Sequence, residues 1–219
     1  PEQYRNDDAI AVEEDMTFTN TSTMDVFDSL ESYGTANSEH TAHLKYVLNL
    51  AAPALDKLRL LVRTHGIKES YGSEQGNTID LRINTGAKAN NLEMSPQELF
   101  VHETYHALFR TLNAKQTPIW RKLKSEYARA AKYLEVKDFL AHIPNPTLAD
   151  RTAASKLMDH ALFNATSGSI GYTTALGEQG ELHNADPVEE FAVLATTNEA
   201  VRNALKNLDE ALAELLAAN

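Results

Sequence analysis

Ser95-Pro96-Gln97-Glu98-Leu99-Phe100-Val101-His102-Glu103-Thr104-Tyr105-His106-Ala107-Leu108-Phe109 is the stretch on which the reading of this chain turns. Ser95 suits the N-cap of a helix and Pro96 the first helical position, where no N–H is needed. Glu98 completes an S-x-x-E capping box. The pattern predicts a helix running to about Leu112, with Asn113 and Pro118 around its stop. Inside it, His102 and His106 lie four residues apart, or about 40° around the axis, so both imidazoles face one way. That spacing grips one divalent ion from one side. Glu103 falls about 100° from His102 and about 60° from His106. Its carboxylate sits beside such an ion without ligating it, placed to take a proton from a metal-bound water.

About one chain in forty of this length and composition would carry H-E-x-x-H by chance, so two polar surface histidines are the plain alternative. The context argues against it. The motif lies in the middle of a well-bounded helix, embedded by Leu99, Val101, Leu108 and Phe109.

Working outward, the 219 residues are 42% hydrophobic and 23% charged, with no cysteine. This length suits one domain with a real core. Without thiols, any transition metal must rest on His, Asp or Glu, and Zn²⁺ is the expected ion. The net charge of −11 excludes the basic stripe that nucleic-acid backbones require. A lysine cluster at Lys115, Arg121, Lys122 and Lys124 reads as a solvated helix face. No apolar run is long enough to span a bilayer, and neither nucleic acid nor membrane is an expected partner. Pro1 to Asp8 has no signal-peptide pattern, although Pro in place of Met is the kind of start that processing leaves. A cytoplasmic protein and an exported effector both fit this composition.

Residues 1 to about 36 are polar and acidic and read as an extended arm. From Ser38 to Val62, apolar residues recur at helical spacing, with a bend at Pro53. Glycines then punctuate two β-like runs, Ile67 to Tyr71 and Thr78 to Asn84. The second alternates apolar and polar and is expected to form the sheet edge. A further helix covers about Pro118 to Leu134, and another covers 139 to 165 behind Pro144 and Pro146. Ser167 to Gly180 reads as a mobile loop bordering the cleft. The last 35 residues read as helix broken near Thr196 to Asn198. The fold class is α+β, mostly helical, with a small sheet.

The position of the third ligand separates classes of H-E-x-x-H protein. Phe109 and Leu112 stand where an extended motif needs Gly and His, and Gly168 to Thr174 carries no carboxylate. A Glu on a later helix remains, and Asp186-Pro187-Val188-Glu189-Glu190-Phe191-Ala192-Val193 offers Glu189 and Glu190. Against a ligand role, Glu189 is also the third residue after an Asp186 N-cap, where a carboxylate favours the helix without any metal.

The Glu189-x-Phe191-Ala192 run, downstream of H-E-x-x-H, resembles the E-x-F-A motif of anthrax-lethal-factor-like gluzincins. The longer D-P-x-E-x-F-A-V run is similar to the Mlc titration factor A family of zinc peptidases. The resemblance covers the motif helix and about ten residues here. It implies a zincin-like catalytic domain over 37–219 with a helical insertion at about 115–180, and zinc held by His102, His106 and Glu189. Glu103 becomes the general base in hydrolysis of a peptide or protein substrate. Substrate would pair with the sheet edge as an added strand. The families' oxyanion-stabilising Tyr is replaced by Leu182, leaving neighbouring His183, or Tyr172 from the Gly-rich loop, as candidates. The alternatives are a non-catalytic helical module with a vestigial or structural metal site, and a zinc hydrolase of non-peptide amides. Among other histidines, His40, His43 and the Asp159-His160 pair read as surface residues, and His65 as a turn residue.

Overall fold

The computed structural model describes residues 16–19, 22–34, 37–54, 59–64, 70–75, 78–84, 90–162, 171–173, 179–181 and 186–217. In chain order these give β1 (Met16–Thr19), α1 (Thr23–Ser29), α2 (Ser38–Ala51), β2 (Arg59–Arg63), β3 (Tyr71–Gln75), β4 (Thr78–Arg82), α3 (Pro96–Thr111) and α4 (Ile119–Tyr133). There follow α5 (Val136–Leu140), α6 (Leu148–Leu162), β5 (Gly171–Thr173), β6 (Gln179–Glu181), α7 (Pro187–Thr197) and α8 (Glu199–Ala217). The protein is α+β and mostly helical. No helix among the described residues is long and apolar enough to cross a membrane.

The main sheet has the order β1-β2-β4-β3. β2 and β4 run parallel, with Leu60 opposite Ile79 and Val62 opposite Leu81. These four side chains are buried and alternate with less buried neighbours, as a sheet with one face on a core demands. β1 and β3 pair antiparallel on the outside. The alternation in Thr78–Asn84 is thus real, but the expected edge is wrong: β4 lies inside the sheet and β3 is the outer strand. Its predecessor run was expected at Ile67 to Tyr71, whereas the strand begins at Tyr71; residues 65–69, His65 included, lie outside those described.

Two further expectations yield to the structure. The helix from Ser38 stops at Ala51 and passes into a short 3-10 turn at Ala52–Ala54, because Pro53 cannot donate the next helical bond. Arg59–Arg63 is therefore strand, not helix. The acidic arm also contributes structure: residues 16–34 supply β1 and α1, and Phe27 and Leu30 are completely buried. Polar composition concealed an apolar Val26-Phe27-x-x-Leu30 face on a short helix capped by Ser22. In the expected mobile loop, β5 and β6 pair antiparallel; residues 174–178 and 163–170 lie outside those described.

Two cores result. One gathers the sheet with α1, α2 and α3, around Phe27, Leu44, Leu48, Ile79, Leu81 and Phe100. The other gathers α4, α5, α6 and α8, around Phe139, Ala154, Ala161, Val201 and Ala204. α7 belongs to both, giving Val193 to the first and Phe191 and Leu194 to the second. Its stop at Asn198 falls within the expected break. Where α2, α3 and α8 meet, His40 is buried, not exposed as expected; Arg202 donates to its Nδ1 at 3.0 Å, and Glu98 Oε1 accepts the Glu199 backbone N–H at 3.1 Å. His43 Nε2 lies 2.8 Å from the Thr196 carbonyl oxygen.

Core membership of the N-terminal segment has a direct check. Phe27→Ala is expected to destabilise the protein by about 3–5 kcal/mol in chemical denaturation. A loss under about 0.5 kcal/mol, the value for a surface change, would return the segment to a loose arm.

Candidate metal centre

The capped start of α3 forms as its sequence dictates. Ser95 Oγ accepts the Glu98 N–H at 3.1 Å, and the Glu98 side chain reaches back to the Ser95 N–H. One turn later the helix is buried nearly all round, because it lies between the sheet and α7. His102 and His106 therefore point into protein, with Nε2 atoms 3.2 Å apart. α7 adds Glu190, whose Oε1 is 3.5 Å from His102 Nε2 and whose Oε2 is 3.1 Å from His106 Nε2.

These separations bear on whether an ion fits. Zinc bonds of about 2.0–2.1 Å in tetrahedral array put neighbouring donor atoms about 3.3 Å apart. The two imidazoles and Glu190 stand at that spacing and form a group able to hold a metal. Glu190 is moreover a carboxylate 4% exposed, a costly burial that His102, His106 and His160 offset and that a cation would relieve further. A two-nitrogen, one-oxygen donor set suits zinc.

The outer ring nitrogens set the tautomers. Thr197 Oγ1 donates to the Val193 carbonyl at 2.8 Å, so towards His102 Nδ1, 3.4 Å away, it can only accept. His106 Nδ1 faces the carboxylate Oε1 of Glu189 at 3.2 Å and must donate to it. Both Nδ1 atoms carry a proton, so Nε2 is the nitrogen through which each ring would ligate, at once in the neutral His102 and in His106 after loss of its second proton. Lys115 closes the outer ring, 3.1 Å from Asp186 and 3.6 Å from Glu189.

Here Glu189 departs from its expected place. It meets the far nitrogen of His106, and the neighbouring Glu190 faces both Nε2 atoms. The reason is helical arithmetic. Glu190, Val193 and Thr197 fall at i, i+3 and i+7, the face of α7 turned toward α3, and Glu189 is rotated from it by about 100°. Asp186 caps α7 through the Val188 N–H at 3.0 Å. Of the other expected residues, His183 lies outside those described, as does the side chain of Tyr172, whose backbone belongs to β5.

Glu103 is buried beside this group and packs onto β3. A Cβ on Gly72 would stand 2.6 Å from Glu103 Cγ and 2.7 Å from its Oε1, so any larger residue there would force the carboxylate to shift. Burial pushes its acid up to about 7. His160 on α6, expected as a solvated surface residue, instead reaches the group: its Nε2 lies 3.0 Å from Glu190 Oε1, and it lines the same cleft as His102 and Glu103. Its position on one helical face with Ala153 and Leu157 was the available signal.

The protein groups alone divide charge unevenly. Burial pulls His102 down to about 3. Burial acts the same way on His106, but hydrogen bonds to Glu189 and Glu190 outweigh it and hold the ring up at about 10. Burial would raise Glu190, yet the charges and hydrogen bonds of His102, His106 and His160 keep it well below the usual carboxylate range. The centre favours one positive charge at its middle, carried by His106 when no other cation supplies it.

No protein-family model matches the chain, and neither a curated protein nor a solved structure matches it.

Two measurements test this geometry. Glu190→Gln is expected to abolish zinc retention, whereas Glu189→Gln weakens it by about 10–100-fold, the usual effect of losing a partner of a ligating His. The reverse order in elemental analysis would make Glu189 the ligand. Because His106 Nε2 must lose its proton to bind metal, apparent zinc affinity is expected to rise about tenfold per pH unit from about 6 to 8. A flat profile by competition titration would remove His106 from the ligand set.

Proposed function

We propose that this protein is a zinc-dependent peptidase of the gluzincin kind, with a zincin-like domain in which His102, His106 and Glu190 hold the ion. The observation that carries the reading is the group of two Nε2 atoms and one buried carboxylate at tetrahedral donor spacing, with a second buried carboxylate, Glu103, beside it. The E-x-F-A resemblance supports the class, with its ligand moved one residue along α7. Zinc, when bound, supplies Lewis acidity and lowers the pKa of a water toward neutrality.

The remaining chemistry belongs to the chain. Glu103, with its acid near neutrality, suits a group that takes a proton from the attacking water and returns it to the leaving amine. Gly72 leaves the space that this carboxylate occupies. His160 bears on Glu190 Oε1 and steadies the carboxylate so that Oε2 serves the ion. β3 is the outer strand of the sheet, and Ser70 and Gly72 line the cleft, so an extended peptide can add to that edge through backbone hydrogen bonds.

One observation favours a second reading. His106 between Glu189 and Glu190 is also a charge cluster complete in itself, as a non-catalytic module would hold. Elemental analysis decides: about one zinc per chain, lost in His106→Ala, supports the site, and none sinks it.

Glu103→Ala is expected to cut peptide hydrolysis by about 10²–10⁴-fold with zinc retained. Gly72→Ala is expected to do nearly the same by displacing Glu103, again with zinc retained. Full turnover in Glu103→Ala, measured on a quenched fluorescent peptide, would strip Glu103 of its role, whereas full turnover in Gly72→Ala alone would remove Gly72 from its placement.

A further inference from the structure

The outer ring of the metal group closes on a cation that the chemistry so far leaves without a task. Lys115 Nζ lies 3.1 Å from Asp186 Oδ2 and 3.6 Å from Glu189 Oε2, and 5.8 Å from the centre of the Trp120 ring. It reaches this place because α3 ends sharply. Asn113 adopts a φ of 51°, the left-handed region that asparagine enters more readily than most residues, and Ala114–Gln116 makes one 3-10 turn. That reversal carries Lys115 back over the first turn of α7. Arg121, Lys122 and Lys124, the cations that follow it in sequence, lie instead on α4. The floor under the ammonium is fixed as well: Trp120 is buried and meets Phe109 of α3 edge-on, with ring centres 6.4 Å apart.

Both oxygens of Glu189 are engaged, Oε1 by His106 Nδ1 at 3.2 Å and Oε2 by Lys115. Among the described residues no other group pairs with this side chain, which stands at the rim of the site, 21% exposed. A rotatable side chain at a rim keeps one direction only if its far end is held. Lys115 holds it, and the same ammonium holds Asp186, which caps α7 through the Val188 N–H. One charge thus fixes both the helix entry and the carboxylate. Lys115 is itself half exposed, so these pairs add little to global stability. Their effect falls on the direction of Glu189, and through it on His106. We propose that Lys115 is a positioning residue of the metal centre, which keeps Glu189 against His106 Nδ1 and thereby slows escape of the ion. This rests on the zinc site of the peptidase reading and adds a control on how firmly that site holds its metal.

The test follows zinc release from the loaded protein into excess chromogenic chelator at one fixed pH. Loss of a partner of a ligating His costs about 10–100-fold in affinity, and Lys115 stands one contact further out, so Lys115→Met is expected to speed release by about 3–10-fold. Lys115→Gln repeats the charge loss with a polar side chain and is expected to match it. Lys115→Arg, which offers N–H groups to both carboxylates, is expected to restore the wild-type rate to within about twofold. In a Glu189→Gln background, Lys115→Met is expected to add nothing further, the signature of action through that carboxylate. Denaturation midpoints of the metal-free variants are expected to stay close to wild type. Release at the wild-type rate from both neutral variants, or an equal acceleration in the Glu189→Gln background, would overturn the role of Lys115 and leave the zinc site standing. A lowered midpoint accompanying the faster release would make the effect structural and overturn it too. Wild-type protein that retains no zinc removes the site and this role together.

Discussion

The architecture depends on a buried carboxylate that needs positive company. Glu190 is almost wholly inside the protein, where an isolated charge costs several kcal/mol, and His102, His106 and His160 surround it. α3 and α7 must cross at this point for that cost to be met. The rest of the packing is consistent with the demand: Val193 and Thr197 continue the same face of α7 onto α3, and the capped entry of each helix fixes where its first turn begins.

Much of this was legible in the chain because the signals were local. The Ser95–Glu98 box, Pro96, and the four-residue spacing of His102 and His106 concern neighbours on one helix, and all appear as read. The Asp186-Pro187 entry into α7 was equally plain. The choice between Glu189 and Glu190 was not. Both lie in the first turn of one helix, and only the direction of approach to α3 separates them. Tertiary contact carries that direction, and the E-x-F-A pattern points to the other member of the pair.

The fold was misread where composition and propensity disagreed with burial. An acidic, Thr-rich segment hides a short helix whose Phe27 and Leu30 are sealed in the core, and a leucine-rich Arg59–Arg63 continues a helical period but pairs as the second strand. His160 was undervalued for a related reason. Beside an aspartate on a helix it looks solvated, and only the path of α6 along the cleft brings it to Glu190.

α7 lends consecutive side chains to two different interiors, with Val193 on the sheet side and Phe191 and Leu194 on the helical side. A helix shared in this way cannot relax for one neighbour without disturbing the other. Extra bulk at Ala154 or Ala204, remote in sequence from the histidine pair, has to be absorbed as a tilt of the common rod, and the carboxylate in its first turn swings with it. Mutational tolerance in the helical half is thereby coupled to the placement of Glu190 against the histidine pair through a single lever arm.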